Sequence, residues 1–250
     1  MKLQRERKPG HVTLERSLSK MGIASRKIAK SWIEAGRVKV NGRVVRNPQF
    51  SVFFERAIIE IDGQRVEKAK TIVLLLNKPK GLVTTRSDEK GRPTVFSIIE
   101  GFDSHLHSVG RLDRATSGLL LLTNNTKISS WLTSPENGVS RVYLVTVKGE
   151  FKDDALARVR AGILDQGELL KAENVEVRKT SSRESHLKVE LKEGKNREVR
   201  RMFLAVGHEV TRLKRISFGG LDLGDLKPGQ YREVTSEEIF KAFPLIKAGI

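Results

Sequence analysis

The sequence of 250 residues contains no cysteine and only five histidines. Disulfide bonds and thiolate metal sites are therefore excluded, and the histidines lack the paired spacing that is typical of a metal site. Apolar stretches are short, and none approaches the roughly 18 residues that a membrane-spanning helix needs. The basic start of the chain is not followed by an apolar segment, so we expect no secretory signal. These absences predict a cytoplasmic protein that binds no metal and crosses no membrane.

Positive charge is what the sequence has in excess. It contains 47 lysines and arginines against 30 acidic residues, a formal net charge of +17. The excess is densest in residues 1–70, which hold 17 basic and 7 acidic residues. Clustered lysine and arginine gain affinity for polyphosphates by releasing condensed counterions, so nucleic acid is the expected partner. An anionic membrane surface, or no polyanionic partner at all, are the alternatives.

The amino-terminal part of the chain is predicted to be a short arm followed by a small folded unit. Residues 1–11 are polar and basic and are expected to form a flexible arm. Residues 12–66 are expected to form two helices and a hairpin. Asn41-Gly42 lies between two short β-rich runs, a pattern typical of a tight hairpin turn. Ser25 can cap the second helix, whose expected inward face is Ile28, Ala29, Trp32 and Ile33.

Basic side chains occupy the non-core positions of that second helix and hairpin. They could form a solvated face, but their local density favours contact with RNA. The residues are Arg26, Lys27, Lys30, Arg37, Lys39 and Arg43.

The remainder of the chain is rich in predicted strands. Residues 67–70 are expected to be a linker and residues 71–250 to form one large domain. The apolar run 119–122 is typical of a buried central strand, and residues 82–83 are also expected to be a strand. A helix is expected to begin at about Asn196. Because helices do not alternate regularly with strands, the predicted fold class is α+β, with a large, mostly antiparallel sheet after the small module.

One polar loop leads directly into the predicted buried strand. It reads Gly110-Arg-Leu-Asp113-Arg-Ala-Thr-Ser-Gly118. A single carboxylate lies between Arg111 and Arg114, which could neutralise Asp113 or contact phosphates. From the spacing alone, a functional loop and a structural Asp–Arg pair that closes a loop are about equally supported.

This loop resembles the active-site signature of RNA pseudouridine synthases, in the Rsu-type branch that modifies ribosomal RNA. Further segments resemble other motifs of that branch and follow in its order, namely residues 75–81, 141–145, 193–203 and 223–229. The first unit, from Leu14 to about Ile61, resembles the small S4-type RNA-binding module. Two positions depart from the usual pattern: Arg141 stands where relatives usually carry lysine, and Asn125 where many carry aspartate.

The resemblance implies that the chain isomerises a specific uridine of ribosomal RNA to pseudouridine, without cofactor or metal. Large-subunit RNA is the preferred target. Small-subunit RNA, or a non-catalytic role as an RNA-binding ribosome assembly factor, are the alternatives. The expected partner is ribosomal RNA, free or within an assembling subunit, and the enzyme is expected to be a monomer.

The resemblance also assigns roles to individual residues. Asp113 would be the catalytic carboxylate, Tyr143 would stack on the flipped base, and Arg200 would be the cation beside the carboxylate. Without the neighbouring motif, Tyr143 would be interpreted as a core residue of its strand. Five further cations are expected to contact RNA, mainly its phosphates: Arg111, Arg114, Arg201, Lys78 and Lys80.

Overall fold

The computed structural model describes residues 10–53, 56–99, 102 and 105–246. These residues form two compact units. The smaller unit contains the described residues as far as Ile72, together with 102, 105–106 and Thr123–Thr126, and the larger unit contains the others. Within these ranges, no helix has the length and apolar character needed to cross a membrane.

The smaller unit packs two helices against short strands. Helix α1 carries Leu14 and Leu18 into the core, where they meet Ala29 and Ile33 of helix α2. Strand β1 pairs with β4, and a separate sheet has the order β3-β2-β5-β6. The described elements of this unit are β1 (His11–Thr13), α1 (Leu14–Lys20), α2 (Arg26–Glu34), β2 (Val38–Val40), β3 (Arg43–Val44), β4 (Ser51–Phe53), β5 (Ile59–Ile61) and β6 (Gln64–Arg65).

Local signals in this unit are mostly confirmed. The Ser25 side chain accepts a hydrogen bond from the backbone N–H of Ile28 at 3.2 Å and so caps α2. Asn41 and Gly42 both have positive φ, 50° and 79°, as a tight turn between β2 and β3 requires. The inward face of α2 was predicted too wide, because Ile28 is 40% exposed and only Ala29 and Ile33 point fully into the core.

The segments predicted to be an arm and a linker are partly held in the fold of the smaller unit. Residues 1–9 of the predicted arm lie outside the described residues, but His11 is not part of an arm, since it lies in β1 opposite Phe53. In the predicted linker, Ala69 donates its N–H to the carbonyl of Met21 at 2.9 Å. The Lys70 carbonyl accepts from the side chain of Asn124 at 2.8 Å. This segment is therefore held within the smaller unit.

The larger unit is built around one large sheet, and β11 and β12 form a separate hairpin. The described strands of the unit are β7 (Val73–Lys78), β8 (His107–Ser108), β9 (Ser117–Thr123), β10 (Arg141–Lys148), β11 (Ile163–Asp165), β12 (Glu168–Leu170), β13 (Asn174–Lys179), β14 (Glu184–Leu191), β15 (Val210–Phe218), β16 (Leu221–Asp222) and β17 (Tyr231–Glu233). Its helices are α3 (Thr126–Thr133), α4 (Asp153–Ala161), α5 (Glu198–Ala205) and α6 (Ser236–Ala242).

The order of strands in this sheet brings β9 and β10 to either side of β15. Over the described residues the order is β13-β14-β10-β15-β9-β7-β17, with β16 added to β15 and β8 to β9. β15 runs parallel to β9, whereas its pairing with β10 and the pairing of β10 with β14 are antiparallel. Residues 119–122 are buried at the centre of the sheet, as their apolar run predicted. The predicted α+β class with a mostly antiparallel sheet is confirmed.

One expectation for this unit was wrong. Residues 82–83 do not form a strand, because Val83 makes only an isolated bridge with Thr94. The helix expected from about Asn196 is present and begins at Glu198. Its N-cap, Arg197, has φ 50° and ψ 29°, a left-handed conformation from which the helix cannot extend further towards the amino terminus.

Candidate active site

A cavity of about 320 Å³ lies where the loop before β9 meets β10, β15 and the start of α5. The three residues predicted to be catalytic, Asp113, Tyr143 and Arg200, all line it. They come from a loop, a strand and a helix that are far apart in the chain. The structure therefore brings together the residues that the motifs of the sequence named.

The Asp113 loop is tied down on both sides. Thr116 donates its N–H to the Asp113 carbonyl at 3.0 Å and closes a turn. Thr84 donates its hydroxyl to the Leu112 carbonyl at 2.7 Å, and Gly81 donates its N–H to the Arg114 carbonyl at 2.9 Å. These hydrogen bonds to the loop backbone limit the positions that the Asp113 side chain can take.

The buried side chain of Lys78 is hydrogen-bonded to the backbone of the same loop. Its side chain is completely buried, and its ammonium donates to the carbonyls of Thr116 at 2.8 Å, Pro79 at 3.1 Å and Asp113 at 3.2 Å. Burial lowers the pKa of Lys78 to about 8, and the nearby Asp113 carboxylate opposes that shift. The prediction that Lys78 contacts the RNA backbone is wrong, because a fully buried ammonium cannot reach a bound strand.

Two guanidinium groups flank the Asp113 carboxylate. Arg197 Nη1 lies 3.5 Å from Asp113 Oδ2, and Arg200 Nε lies 4.0 Å from the same oxygen. Arg200 was predicted as the partner of Asp113. Arg197 was not, although it is nearer. Burial and the adjacent Arg197 charge lower the pKa of Arg200, and Asp113 opposes this shift.

Tyr143 is a buried residue of β10 whose position depends on an irregularity in the sheet. It pairs with Val189 of β14 on one side and Arg215 of β15 on the other, next to a register shift between Val142 and Tyr143. Its side chain is 8% exposed and lines the cavity. Leu213 of β15 lines the same cavity and is also buried. Both residues therefore contribute an apolar surface beside Asp113.

Buried cations form the far wall of the cavity. Arg215 donates from Nε to the Leu119 carbonyl at 2.7 Å, and Arg141 donates from Nη1 to the Val139 carbonyl at 2.6 Å. Both guanidiniums lie about 5 Å from the ring of Phe218, at 4.9 and 5.1 Å. Arg141, which replaces the usual lysine of the family pattern, is thus used as a structural group with several carbonyl partners.

A second carboxylate, that of Glu198, lines the cavity in a different environment. It is 3% exposed, and its Oε2 accepts the backbone N–H of Lys195 at 3.0 Å. Burial raises the pKa of Glu198 to about 7, and the neighbouring Glu193 adds to this rise. The sequence alone does not single out Glu198, because a glutamate in the first turn of a helix is typical of an ordinary surface position.

A wider groove of about 670 Å³ adjoins the cavity. Arg111 and Arg114, both predicted to contact RNA, line this groove and are exposed. Arg114 also donates from Nε to the Gly81 carbonyl at 3.3 Å. The groove and the cavity share the Asp113 loop, so both arginines lie next to the candidate site.

Arg201 is directed away from the cavity. Its Nη1 donates to Glu168 Oε2 at 2.6 Å, and its Nη2 donates to the Asp165 carbonyl at 2.9 Å. The side chain is 16% exposed, and these partners belong to the β11–β12 hairpin. Contact between Arg201 and RNA stays a prediction, and it would require the guanidinium to leave these partners.

The other cations predicted to bind RNA belong to the smaller unit. Lys27 and Arg43 are exposed, and Lys39 is half-buried. The remaining three each have an acidic partner: Arg26 pairs with Glu15 at 2.6 Å, Lys30 with Glu34 at 3.7 Å, and Arg37 with Asp62. All six lie on α2 or on the chain from its end through β3, as their positions in the sequence suggested.

Acidic and histidine side chains do not gather as metal ligands in the described ranges, where no group of three or more has a suitable arrangement. The cavity brings together the Asp113 carboxylate, the guanidiniums of Arg197 and Arg200 and the ring of Tyr143.

Comparison with known proteins gives the same picture. A family profile described as RNA pseudouridylate synthase matches residues 72–205, and an S4 domain profile matches residues 13–53. An uncharacterized RNA pseudouridine synthase of Aquifex aeolicus is 36% identical over 237 residues, which cover 94% of this chain and 95% of the relative. Ribosomal large subunit pseudouridine synthase B of Bacillus subtilis is 37% identical over 229 residues, with 90% and 93% coverage.

A solved structure extends this similarity to the fold. The protein described as a pseudouridylate synthase superimposes with a TM-score of 0.67 and 30% identity, over 92% of this chain and 99% of its own. The family profile spans more than half of the 250 residues, and the relatives align along nearly all of them. The chain therefore belongs to the RNA pseudouridylate synthase family and carries an S4 domain in its amino-terminal part.

Proposed function

We propose that this chain converts a specific uridine of large-subunit ribosomal RNA into pseudouridine, with Asp113 as the catalytic carboxylate. One observation carries the assignment of Asp113: its carboxylate lies within 4.0 Å of two guanidiniums at the cavity that Tyr143 also lines. The large-subunit target is supported by the name of the B. subtilis relative. Small-subunit RNA is the alternative substrate.

The size of the cavity supports action on a single extruded nucleotide. About 320 Å³ lies at the lower end of the range for small-ligand pockets, roughly 300–1000 Å³, and is far too small for an RNA helix. A stacked uridine must therefore flip out of its helix, which requires a few kcal/mol of unstacking free energy. Tyr143 supplies an aromatic face on which the flipped uracil can stack.

The reaction rearranges bonds without changing the oxidation level of the substrate. The bond between ribose C1′ and uracil N1 breaks, the base turns, and a bond forms between C1′ and C5. The C5 proton is lost and N1 gains a proton, so the atoms balance without redox chemistry. Asp113 can add to C1′, add to the uracil ring, or act as a base in an elimination, and the three routes remain open.

Each of these routes needs an ionised carboxylate in a partly dehydrated site. A nearby cation favours that ionised form. Arg200 is suited to this role because its side chain is only 14% exposed and two of its nitrogens donate to the carbonyls of Val210 and Ala115. Held in this way, it can stay beside Asp113 while substrate enters.

The rest of the RNA is proposed to contact the basic residues of the smaller unit together with Arg111 and Arg114 of the larger one. Such contacts would position the target by its phosphates and would carry little sequence information themselves. We further propose that the substrate is ribosomal RNA, free or in an assembling subunit, and that the enzyme is a cytoplasmic monomer.

The test uses ribosomal RNA labelled with tritium on uracil C5. Wild type is expected to release tritium to water, and Asp113→Asn is expected to release none above background while its affinity for RNA is not weakened. Asp153→Asn, an exposed position at the start of α4, is the matched control and is expected to keep activity. Full activity in Asp113→Asn would show that the catalytic residue is misassigned.

The same assay separates the alternatives. If wild type binds ribosomal RNA but releases no tritium from free large- or small-subunit RNA or from immature subunits, the non-catalytic assembly role is favoured. Release from one RNA alone identifies the target subunit.

A further inference from the structure

Arg197 lies at the junction between the cavity and the wider groove. It lines both, as do Asp113 and Arg111. Its guanidinium is 3.5 Å from the Asp113 carboxylate, yet 54% of its side chain is exposed. A strand of RNA that lies in the groove while one of its nucleotides enters the cavity would pass this junction, with its backbone beside Arg197.

The backbone holds Arg197 in an uncommon conformation. Its φ of 50° lies in the left-handed region, which few residues other than glycine adopt. Two hydrogen bonds stabilise the segment: Glu198 donates its N–H to the Lys195 carbonyl at 3.2 Å, and Lys195 donates its N–H to Glu198 Oε2 at 3.0 Å. Arg197 also starts α5, because its carbonyl accepts from Arg201 N–H at 2.9 Å. The Cα atom of Arg197 is therefore held in a position from which the guanidinium reaches Asp113.

The two arginines beside Asp113 differ in how firmly they are held. Arg200 is mostly buried and donates to the Val210 carbonyl at 2.8 Å. The Arg197 side chain is 54% exposed, and an ion pair with a partly exposed carboxylate is weak. A better acceptor can therefore draw Arg197 away from Asp113, whereas Arg200 remains.

The groove beside Arg197 favours a phosphate as that acceptor. Its wall holds six lysine or arginine side chains against three carboxylates. One pair, Arg92 and Asp88, is already joined at 2.6 Å. A phosphodiester offers two oxygens in the geometry that a guanidinium binds in bidentate fashion. Without a cation between them, the Asp113 carboxylate would repel such a phosphate.

We propose that Arg197 is an RNA phosphate-binding residue that moves from the Asp113 carboxylate to the phosphodiester beside the flipped uridine. The inference rests on the proposed function and adds to it a binding site for the RNA backbone. In the free enzyme Arg197 masks the negative charge of Asp113. In the complex it neutralises the phosphate, and Asp113 keeps Arg200 as its cation.

The experiment measures steady-state tritium release and, separately, equilibrium RNA affinity as a function of salt. The main variant is Arg197→Asn, because asparagine tolerates the left-handed conformation. We expect it to weaken RNA affinity about tenfold and to reduce the slope of log affinity against log salt by about 0.7–0.9. KM is expected to rise more than kcat falls. Arg197→Lys is expected to keep the salt slope but regain only part of the affinity.

The control is Arg178→Gln, an exposed arginine of β13 that lines neither the cavity nor the groove. It is expected to keep wild-type affinity and salt slope. The proposal is overturned if Arg197→Asn keeps the wild-type KM and salt slope and lowers kcat alone, because Arg197 would then act only on Asp113. A melting temperature close to that of wild type shows that the variant is folded.

Failure of the proposed function gives a different result. If wild type binds the RNA but releases no tritium, the isomerisation is contradicted, whereas the affinity and salt arms still test Arg197. If wild type is active and only the Arg197 arms fail, the phosphate site alone is wrong.

Discussion

At the scale of single residues, two carboxylates meet the same cavity in opposite surroundings. Asp113 is 36% exposed and flanked by two guanidiniums. Glu198 is 3% exposed, and burial raises its pKa to about 7. Sites that contain two acids often separate their roles through their environments. Here the partly exposed acid beside the guanidiniums is suited to chemistry, and the buried one holds the Lys195 backbone and, through it, the loop that carries Arg197.

Replacement of Glu198 by glutamine is predicted to change how stability depends on pH. The pKa of Glu198 is raised from its usual value near 4.5 to about 7 in the folded protein. Between these values the folded state binds a proton that the unfolded state has lost, so wild-type stability falls as pH rises. Glutamine does not titrate, so the stability of the variant lacks this dependence on pH. The unfolding free energy of Glu198→Gln minus that of wild type should therefore increase by about 1–3 kcal/mol as the pH is raised from about 4.5 to above about 7.

Urea unfolding of both proteins at several pH values measures this difference. Glutamine keeps an oxygen that can accept the Lys195 N–H, so the loop itself should persist. A difference between the two proteins that stays constant across the range would contradict the prediction and show that Glu198 is ionised in the folded state.

At the scale of elements, the site depends on the parallel pairing of β9 with β15. Gly118 lies opposite Arg215 in this pair, with φ 102°. A Cβ atom added at Gly118 would collide with the carbonyl oxygen of Arg215, which belongs to the backbone and cannot rotate away as a side chain could. The absence of a side chain therefore lets the end of the Asp113 loop approach β15, whose Leu213 and Arg215 line the cavity.

Gly118→Ala is predicted to destabilise the protein by about 2–5 kcal/mol, because it combines an unfavourable positive φ with a backbone collision. Gly81→Ala is the matched control. Gly81 has a similar φ of 95°, but an added Cβ would meet nothing within 4 Å. Denaturant unfolding should show a markedly smaller loss for Gly81→Ala. Equal losses in the two variants would mean that positive φ accounts for the whole effect and the close approach for none.

The β11–β12 hairpin supports the site through α5. Arg201 joins this helix to Asp165 and Glu168, and Lys195 donates from Nζ to the Leu169 carbonyl at 2.6 Å. These contacts hold Lys195 before Arg197 and Arg201 after it. The hairpin thus stabilises the position from which two arginines face Asp113.

At the scale of the whole molecule, six of the basic residues predicted to bind RNA belong to the smaller unit, whereas the residues that line the cavity belong to the larger one. We predict that replacing Lys27, Lys30 and Arg43 together by glutamine weakens binding to structured ribosomal RNA. The slope of log affinity against log salt should fall by about 2–3, because roughly one counterion is released for each phosphate contact. Activity on a short oligonucleotide that spans only the cavity and groove should change little.

The control replaces three exposed lysines of the larger unit, Lys152, Lys171 and Lys179, by glutamine. It removes the same charge from positions that line neither the cavity nor the groove. Equal changes in salt slope for the two triple variants would mean that net charge alone governs binding and that the smaller unit has no particular role.

The sequence by itself determined the local structure and the family. The apolar run of β9, the Asn41-Gly42 turn and the Ser25 cap depend on residues that are close together in the chain, so their patterns predicted them well. The order of the motifs named the fold, and three of them named Asp113, Tyr143 and Arg200, which the structure places around one cavity.

Only the tertiary structure decided which charges meet. Lys78 is a buried side chain that supports the Asp113 loop, and Arg201 contacts the β11–β12 hairpin. Arg197 lies closer to Asp113 than Arg200 does. The sequence marks Lys78, Arg197 and Arg201 as basic residues in motifs and does not show which groups they contact. Their partners lie on distant segments, and the register of β9 and β15 together with the left-handed turn at Arg197 sets the distances at which the charges interact.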